Sequence, residues 1–553
     1  MHGPLNHRLL NRGFLDPISG ATVGSSSSVN SGKTLPGKLA VARTARCSLL
    51  LALCAMLSLA SGNLFGADKA PPTGTRFVGP AIGPAPVTSK PIFNGKNLDG
   101  WDGNPKFWSV QDGKIVGQTT AENPTKGNTF LIWRQAPVDD FVLKLQYKIV
   151  GGNSGIQYRS KDLENWVVGG YQGDFEAGDT FSGILYEERG RGILAQRGQK
   201  VTIDKDGKKH EEQVTDSKSL QANIKKEDWN EYEIIAQGNH LIHKINGKVT
   251  AEVIDDQPDK RAASGILALQ LHAGPPMKVE FKDVLLKRTR LADGRKKIVM
   301  VAGTPSHGKG AHEFNAGTKI LKKCLDATPG VLATAYYNGW PADPTAFDNA
   351  DSILLYMDGG SGHPVIQRNR LTEIDQLMKR GVGLCCAHYA VEVPKEKGGP
   401  DLIKWIGGYY ETGYSINPHW DGKFTELPKH PVTTGVQPFT INDEWYYNMR
   451  FAEGLSGIVP ILKASPPDET RRTEASKANP GRVEILAWAI ERPDGGRGFG
   501  FTGGHNHANW GNDDFRKLVL NSLLWTAKAD VPAGGVSSSV SPDELTQNLD
   551  PKK

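Results

Sequence analysis

Six histidines fall in four short segments whose residue types could do chemistry together. SHGKGAHE brings His307 and His312 with Glu313, and DGGSGHP brings Asp358 and His363. AHYA brings His388, and GGHNH brings His505 and His507. An imidazole titrates near neutrality, so two of them can serve as general base and general acid with little tuning. His388 and His505 are the candidates for that pair, and Asp358 and His363 are candidate substrate contacts. Imidazoles and carboxylates also hold divalent metals. His307, His312 and Glu313 are the candidate ligand set, although a tight spacing such as H-E-x-x-H is missing. A divalent ion is the one cofactor these segments suggest. Asp443-Glu444-Trp445-Tyr446 adds carboxylates and aromatics that serve equally well as loop packing.

A second group lies in the N-terminal half. Asp174, Glu176 and His272 could move protons, while Arg159, Gln172, Glu187 and Glu188 could bind or steady a negatively charged oxygen. Glu187, Glu188 and Arg189 could equally be a solvated charge cluster.

The elements that must position these residues follow from periodicity. Phe141, Leu143, Leu145, Tyr147 and Ile149 alternate with polar or small-faced neighbours, the pattern of a strand buried on one face. Asn246-Gly247 between two alternating runs signals a hairpin with a type I′ turn. Short strands and glycine turns recur, so an antiparallel sandwich is expected up to about residue 290.

The charged break KRTRLADGRKK then changes the pattern. KIVMVAG and SILLYMDG are continuous apolar strands, each followed by a helical stripe, which implies a parallel sheet covered on both faces. The stripe Phe314, Gly317, Leu321, Cys324 and Leu325 is one such helix. Leu371 to Met378 is another, stopped by Gly381. GVGLCCAHYA (Gly381–Ala390) reads as a buried strand running into a sharp turn. Hydrolytic α/β enzymes often place a nucleophile there, and His388 falls at the exposed position with Cys385 and Cys386 inside the strand. Asn512 should cap the last helix, with Asp513 and Asp514 in its first turn. In parallel sheets ligands bind beyond the carboxyl ends of the strands, and all four histidine segments fall there.

The chain of 553 residues is too long for one domain, and its 12 tryptophans and 38% apolar residues suffice for real cores. A net charge of +6 with interspersed signs leaves no nucleic-acid footprint. Residues 1–68 read as an addressing segment. Lys38, Arg43 and Arg46 precede an apolar run, Cys47 to Ala60, too short to span a bilayer but suited to a signal-peptide core. Export to the periplasm or beyond is expected, with no transmembrane span. The cysteines that follow, Cys324, Cys385 and Cys386, form no disulfide framework and read as small buried hydrophobes.

Two family resemblances join these readings. IFNGKNLDGW, SGIQYRS, GGYQGDFEAG, GILYEERGRGILA and GILALQLHAGPPMKVEFKDV resemble the 3-keto-disaccharide hydrolase domain, a concanavalin A-like jelly roll. SHGKGAHEFNAG, YMDGGSGHP, GVGLCCAHYA, DEWYYNMRF and GGHNHANWGNDDF resemble ThuA-like (trehalose utilisation) domains, relatives of class I glutamine amidotransferases. The expected layout is a linker at 69–90, an antiparallel β-sandwich at 91–290, an α/β three-layer parallel-sheet domain of flavodoxin- or amidotransferase-like type at 296–530, and a flexible tail at 531–553. The second resemblance puts His388 at the amidotransferase nucleophile position and His505 at that of the triad histidine. It thereby implies loss of glutamine hydrolysis. A register placing Cys385 or Cys386 on the elbow is the alternative.

The resemblances imply a carbohydrate-active hydrolase or lyase acting on 3-keto-glycosides, with a small carbohydrate as partner. Trp101, Trp108 and Trp166 could stack on sugar faces or fill the sandwich core. A non-catalytic, lectin-like glycan-binding protein is the second expectation. The sequence does not specify an oligomeric state.

Overall fold

The computed structural model describes residues 87–552. The leader expected at 1–68 lies outside the described residues, as does most of the linker. Among the described residues no helix is long and apolar enough to cross a membrane.

Two sheets, of ten and seven strands, are built from residues between Lys90 and Arg288. Phe141–Val150 lies between Asn230–Gln237 and Lys278–Arg288 in the larger sheet. Leu143, Leu145, Tyr147 and Ile149 face the other sheet and are buried, as the alternation requires. Asn246 and Gly247 both take positive φ, 48° and 78°, between His240–Ile245 and Lys248–Asp255. That is the twist a type I′ turn supplies. The pairing is antiparallel except that Gln199–Ile203 runs parallel to Lys248–Asp255. Trp101 and Trp108 are buried in the core, and the half-buried Trp166 donates its indole N–H to Asp102 Oδ1 at 2.8 Å. The first two of the proposed sugar-stacking tryptophans are therefore packing residues.

The third sheet has seven strands. Val331–Tyr336, Lys296–Ala302, Ser352–Tyr356, Gly383–Ala387 and Arg497–Phe501 are parallel. Glu484–Glu491 and Ile458–Ala464 then extend the sheet antiparallel, so the expected parallel sheet is mixed at one edge. Ile298 and Met300 face helices Phe314–Asp326 and Asp513–Thr526, while Val299 and Val301 face Arg370–Lys379 and Gly399–Ile406. Strands buried on both faces read as unbroken apolar runs for this reason. Asn512 caps the last helix, its side chain accepting from the N–H groups of Asp514 and Phe515.

The tail expected to be flexible packs back onto this region. Val536 is buried against the last helix, and the Asp550 N–H donates to Glu313 Oε2 at 2.6 Å. The sandwich meets the α/β region through buried charges. Arg288 pairs with Asp343 at 2.9 Å, and Lys297 pairs with Asp139. Burial opposes the Asp139 charge, but Lys297 and Arg288 together hold its carboxyl below the usual range.

Candidate functional sites

The histidine segments meet at the carboxyl ends of the parallel strands. His388 follows Gly383–Ala387 directly and takes φ +54°, a left-handed turn that non-glycine residues adopt only when their surroundings enforce it. His307 and His312 share that backbone region at +60° and +50°. The elbow is thus present, but His388 is fully buried rather than exposed as expected. Tyr446, Thr502 and the other histidines cover it.

The contacts fix which nitrogen of each ring is free. His388 Nδ1 lies 3.0 Å from the Thr502 carbonyl, which can only accept, so Nδ1 carries the proton. His312 Nδ1 donates to Asp358 Oδ1 at 3.0 Å, and Ser306 Oγ donates to the same oxygen at 2.9 Å. Both Nε2 atoms therefore present lone pairs, and they lie 3.0 Å apart. His505 Nδ1 lies 3.1 Å from His312 Nε2 and 3.0 Å from Glu444 Oε2. Glu444 Oε2 is 3.5 Å from His388 Nε2, and the Tyr446 hydroxyl points at that nitrogen from 3.3 Å. Burial pushes the His388 imidazole well below its ordinary pKa and lowers His312 in the same sense.

Asp443 holds the late loop in place. Its buried carboxylate accepts from the N–H of Gly504 at 2.7 Å and of Asn506 at 3.1 Å. The DEWY segment thus supplies a ligand-type atom through Glu444 and a loop anchor through Asp443. Glu392, absent from the sequence reading, is close enough to Glu444 for their charges to interact, and burial pushes its carboxyl up to about 7.

Two sequence candidates leave this group, and His307 stays at its rim. Glu313 is buried on the far side of its loop, where it accepts from Gly310 N–H and Asp550 N–H and pairs with Lys552 at 3.3 Å. It is not a partner of the histidines. His363 is buried with both nitrogens used, Nδ1 accepting from Val365 N–H and Nε2 donating to the Ala390 carbonyl at 3.1 Å. It ties the loop to the elbow and cannot reach a substrate. His307 lies at the exposed rim, its ring 3.6 Å from that of His312. Cys385 and Cys386 are buried strand residues, and burial pushes the Cys385 thiol up to about 12. A thiolate nucleophile has no place there.

The sandwich gathers a different set on the outer face of its seven-stranded sheet. Tyr171 and Phe175 of Val168–Glu176 enter the core, so Gln172 and Asp174 point the other way. A buried chain of hydrogen bonds leads to Asp174. Ser160 Oγ donates to Gln157 Oε1 at 2.7 Å, Gln157 Nε2 donates to Gln172 Oε1 at 2.6 Å, and Gln172 Nε2 donates to Asp174 Oδ1. Each donor sets the orientation of the next amide. Gly155 makes the room, since a Cβ there would meet Gln172 Cδ at 2.5 Å. Burial pushes the Asp174 carboxyl up to about 7, opposed by the Gln172 bond and helped by the charges of Glu188 and Glu176. Glu188 accepts from Gln270 Nε2 at 3.3 Å and Asn128 Nδ2 at 3.4 Å, and the buried Gln270 Oε1 has no partner among the described residues.

Three other sandwich candidates, Arg159, Glu187 and Glu176, are structural. The Arg159 guanidinium is buried, pairs with Asp140 at 2.6 Å and donates to the carbonyls of Asp139 and Gly238. It occupies a strand bulge and cannot stabilise a substrate oxyanion. Glu187 points away from Glu188 and pairs with Arg191 at 2.6 Å. Glu176 Oε1 accepts from the N–H groups of Thr180 and Phe181 and closes a turn. His272 is half-buried, with Nδ1 donating to the Ala273 carbonyl at 2.6 Å, which leaves Nε2 free.

Family models match both halves of the described chain. One, described as a 3-keto-alpha-glucoside-1,2-lyase-like domain, matches residues 88–287, and one described as trehalose utilisation (ThuA) matches residues 299–526. Among solved structures, a ThuA-like protein from Bacteroides uniformis aligns at 15% identity and TM-score 0.32, covering 45% of this chain and 97% of the other. A candidate glycosyl hydrolase from Parabacteroides distasonis aligns at 19% identity and TM-score 0.25, covering 36% of this chain and 100% of the other. A carbohydrate-binding module from Bacillus subtilis aligns at 14% identity and TM-score 0.24, covering 34% of this chain and 93% of the other. No curated protein matches the sequence.

Proposed function

We propose that this two-domain chain, a lyase-like sandwich followed by a ThuA domain, cleaves 3-keto-glycosides by elimination on the outer face of the seven-stranded sheet. The observation that carries the reading is Asp174, a buried carboxyl poised at about 7 at the end of an oriented amide chain. The match of residues 88–287 to a 3-keto-alpha-glucoside-1,2-lyase-like model supports that substrate class.

The chemistry asks little more than a tuned base. The ketone at carbon 3 acidifies the proton on carbon 2. Asp174 takes that proton, and the C–H electron pair passes into an enolate on the ketone oxygen. The enolate then collapses. The ketone re-forms, a double bond forms between carbons 1 and 2, and the glycosidic C–O bond breaks with its electrons on the departing oxygen. The proton held by Asp174 is then available to that oxygen. Addition of water to the enone completes hydrolysis. A group whose pKa lies near the working pH performs both transfers best. The ThuA domain would bind or process a related sugar, and a leader-like segment at 1–68 supports a site of action outside the cytoplasm.

Incubation of the purified full chain with 3-keto-trehalose or 3-keto-sucrose tests the reading. Release of a monosaccharide from the keto sugar, but not from its unoxidised parent, is expected. Tight binding of either sugar without release would replace the enzyme by a glycan-binding protein.

A further inference from the structure

The geometry points to a divalent transition-metal centre in the α/β region, held by His312 Nε2, His388 Nε2, His505 Nδ1 and Glu444 Oε2. This inference stands apart from the elimination chemistry of the sandwich, and neither depends on the other.

The first ground is spacing. All four atoms lie within 4.8 Å of one another. Adjacent ligands about 2.1 Å from one ion are separated by roughly 3.0 Å at octahedral and 3.4 Å at tetrahedral angles. The four neighbouring separations here are 3.0, 3.1, 3.0 and 3.5 Å.

The second ground is proton accounting. With both Nδ1 atoms committed to acceptors, the Nε2 lone pairs of His312 and His388 face each other at 3.0 Å. Glu444 Oε2 adds a third acceptor. His505 Nδ1 and the Tyr446 hydroxyl are the donors at hand, and neither places a hydrogen between His312 and His388. Buried polar atoms are almost always paired. Converging lone pairs with too few donors are what a cation resolves.

The third ground is the outer layer. Metal-bound histidines usually donate their other ring N–H to a carboxylate or a backbone carbonyl. His312 does the first through Asp358 and His388 the second through Thr502. Three backbone positions at positive φ aim the loops inward, and Asp443 anchors the loop that carries His505. Three imidazoles and one carboxylate favour zinc, cobalt, nickel or iron over magnesium or calcium. His307 and Asp358 line the exposed side, where further ligands could enter.

The test strips the purified full chain with a chelator and then titrates it with Co2+ alone. Visible d–d absorption and elemental analysis after dialysis read out the site. One equivalent of metal with a d–d band supports the centre. Glu444→Gln should abolish the band, and Asp358→Asn should weaken binding by about 10–100-fold. His210→Ala, an exposed sandwich histidine, should change nothing. His388→Ala is too buried to be a safe variant, so His505→Ala replaces it. Absence of bound metal, or binding unmoved by Glu444→Gln and His505→Ala in folded protein, overturns the assignment.

Discussion

The two candidate sites solve opposite electrostatic problems. On the sandwich face, burial makes a carboxyl reluctant to ionise, and a chain of amides ending at Gln172 offsets part of that reluctance. At the strand ends, burial makes imidazoles reluctant to protonate and leaves their lone pairs facing one another. In the readings proposed above, the first arrangement suits a proton handed back and forth and the second suits lone pairs that converge on a cation. The sandwich draws its group from one sheet, with Asn128 and Gln270 142 residues apart. The α/β site is assembled from loops and the end of the strand Phe439–Glu444, with His312 and His505 193 residues apart.

The contrast breaks most visibly at Asp174. Asp174→Asn should lower turnover of a 3-keto-glycoside by about 10²–10⁴-fold, measured by steady-state kinetics. The same variant should leave the Co2+ titration unchanged, and a shift in that titration would mean the sites are not separate.

Lys297→Met probes how far the two regions are joined. It leaves Asp139 buried with Asn349 Nδ2 at 3.2 Å and the more distant charge of Arg288, 3.7 Å away. Loss of one partner of a buried pair costs about 3–5 kcal/mol, read from chemical denaturation. Unchanged stability would show that this contact does not couple the regions.

The pH dependence sharpens the sandwich side. The Asp174 pKa rises on folding from 3.8 to about 7. Its contribution to stability is full below the unfolded value and is lost as pH rises through the folded one. Asp174→Asn should therefore gain on the parent protein as pH rises from about 4 to about 7, with a slope on the order of 1.4 kcal/mol per pH unit, and the difference should level off above neutrality. A flat difference across that range would remove the tuned carboxyl. The smallest effect is expected at the last helix, where Asn512→Ala should cost about 1 kcal/mol in thermal unfolding without moving either activity or metal.

Much of this was legible in local pattern. The alternation from Phe141 to Ile149, the Asn246-Gly247 turn, the apolar parallel strands and the Asn512 cap are each set by residues within a few positions of one another. The elbow was legible too, and so was the convergence of His312, His388 and His505, because strand-end loops of a parallel sheet share one edge. The choice between neighbouring carboxylates was not. Glu313 stands beside His312 in sequence yet is tied to the packed tail, while Glu444 ends the strand Phe439–Glu444, 132 positions beyond His312.

The sequence by itself determined the elements, their order and the edge on which chemistry could gather. Hydrogen bonding, φ preference and hydrophobic period act over short stretches and are written residue by residue. Tertiary structure alone decided that Arg159 and Glu187 are bound into ion pairs, that His388 is enclosed rather than displayed, that Asp174 is buried at the end of an amide chain, and that Glu444 stands among the histidines. Those outcomes depend on burial and on partners brought from distant segments. A side chain's charge, free nitrogen or lone pair takes its meaning only from what packs around it.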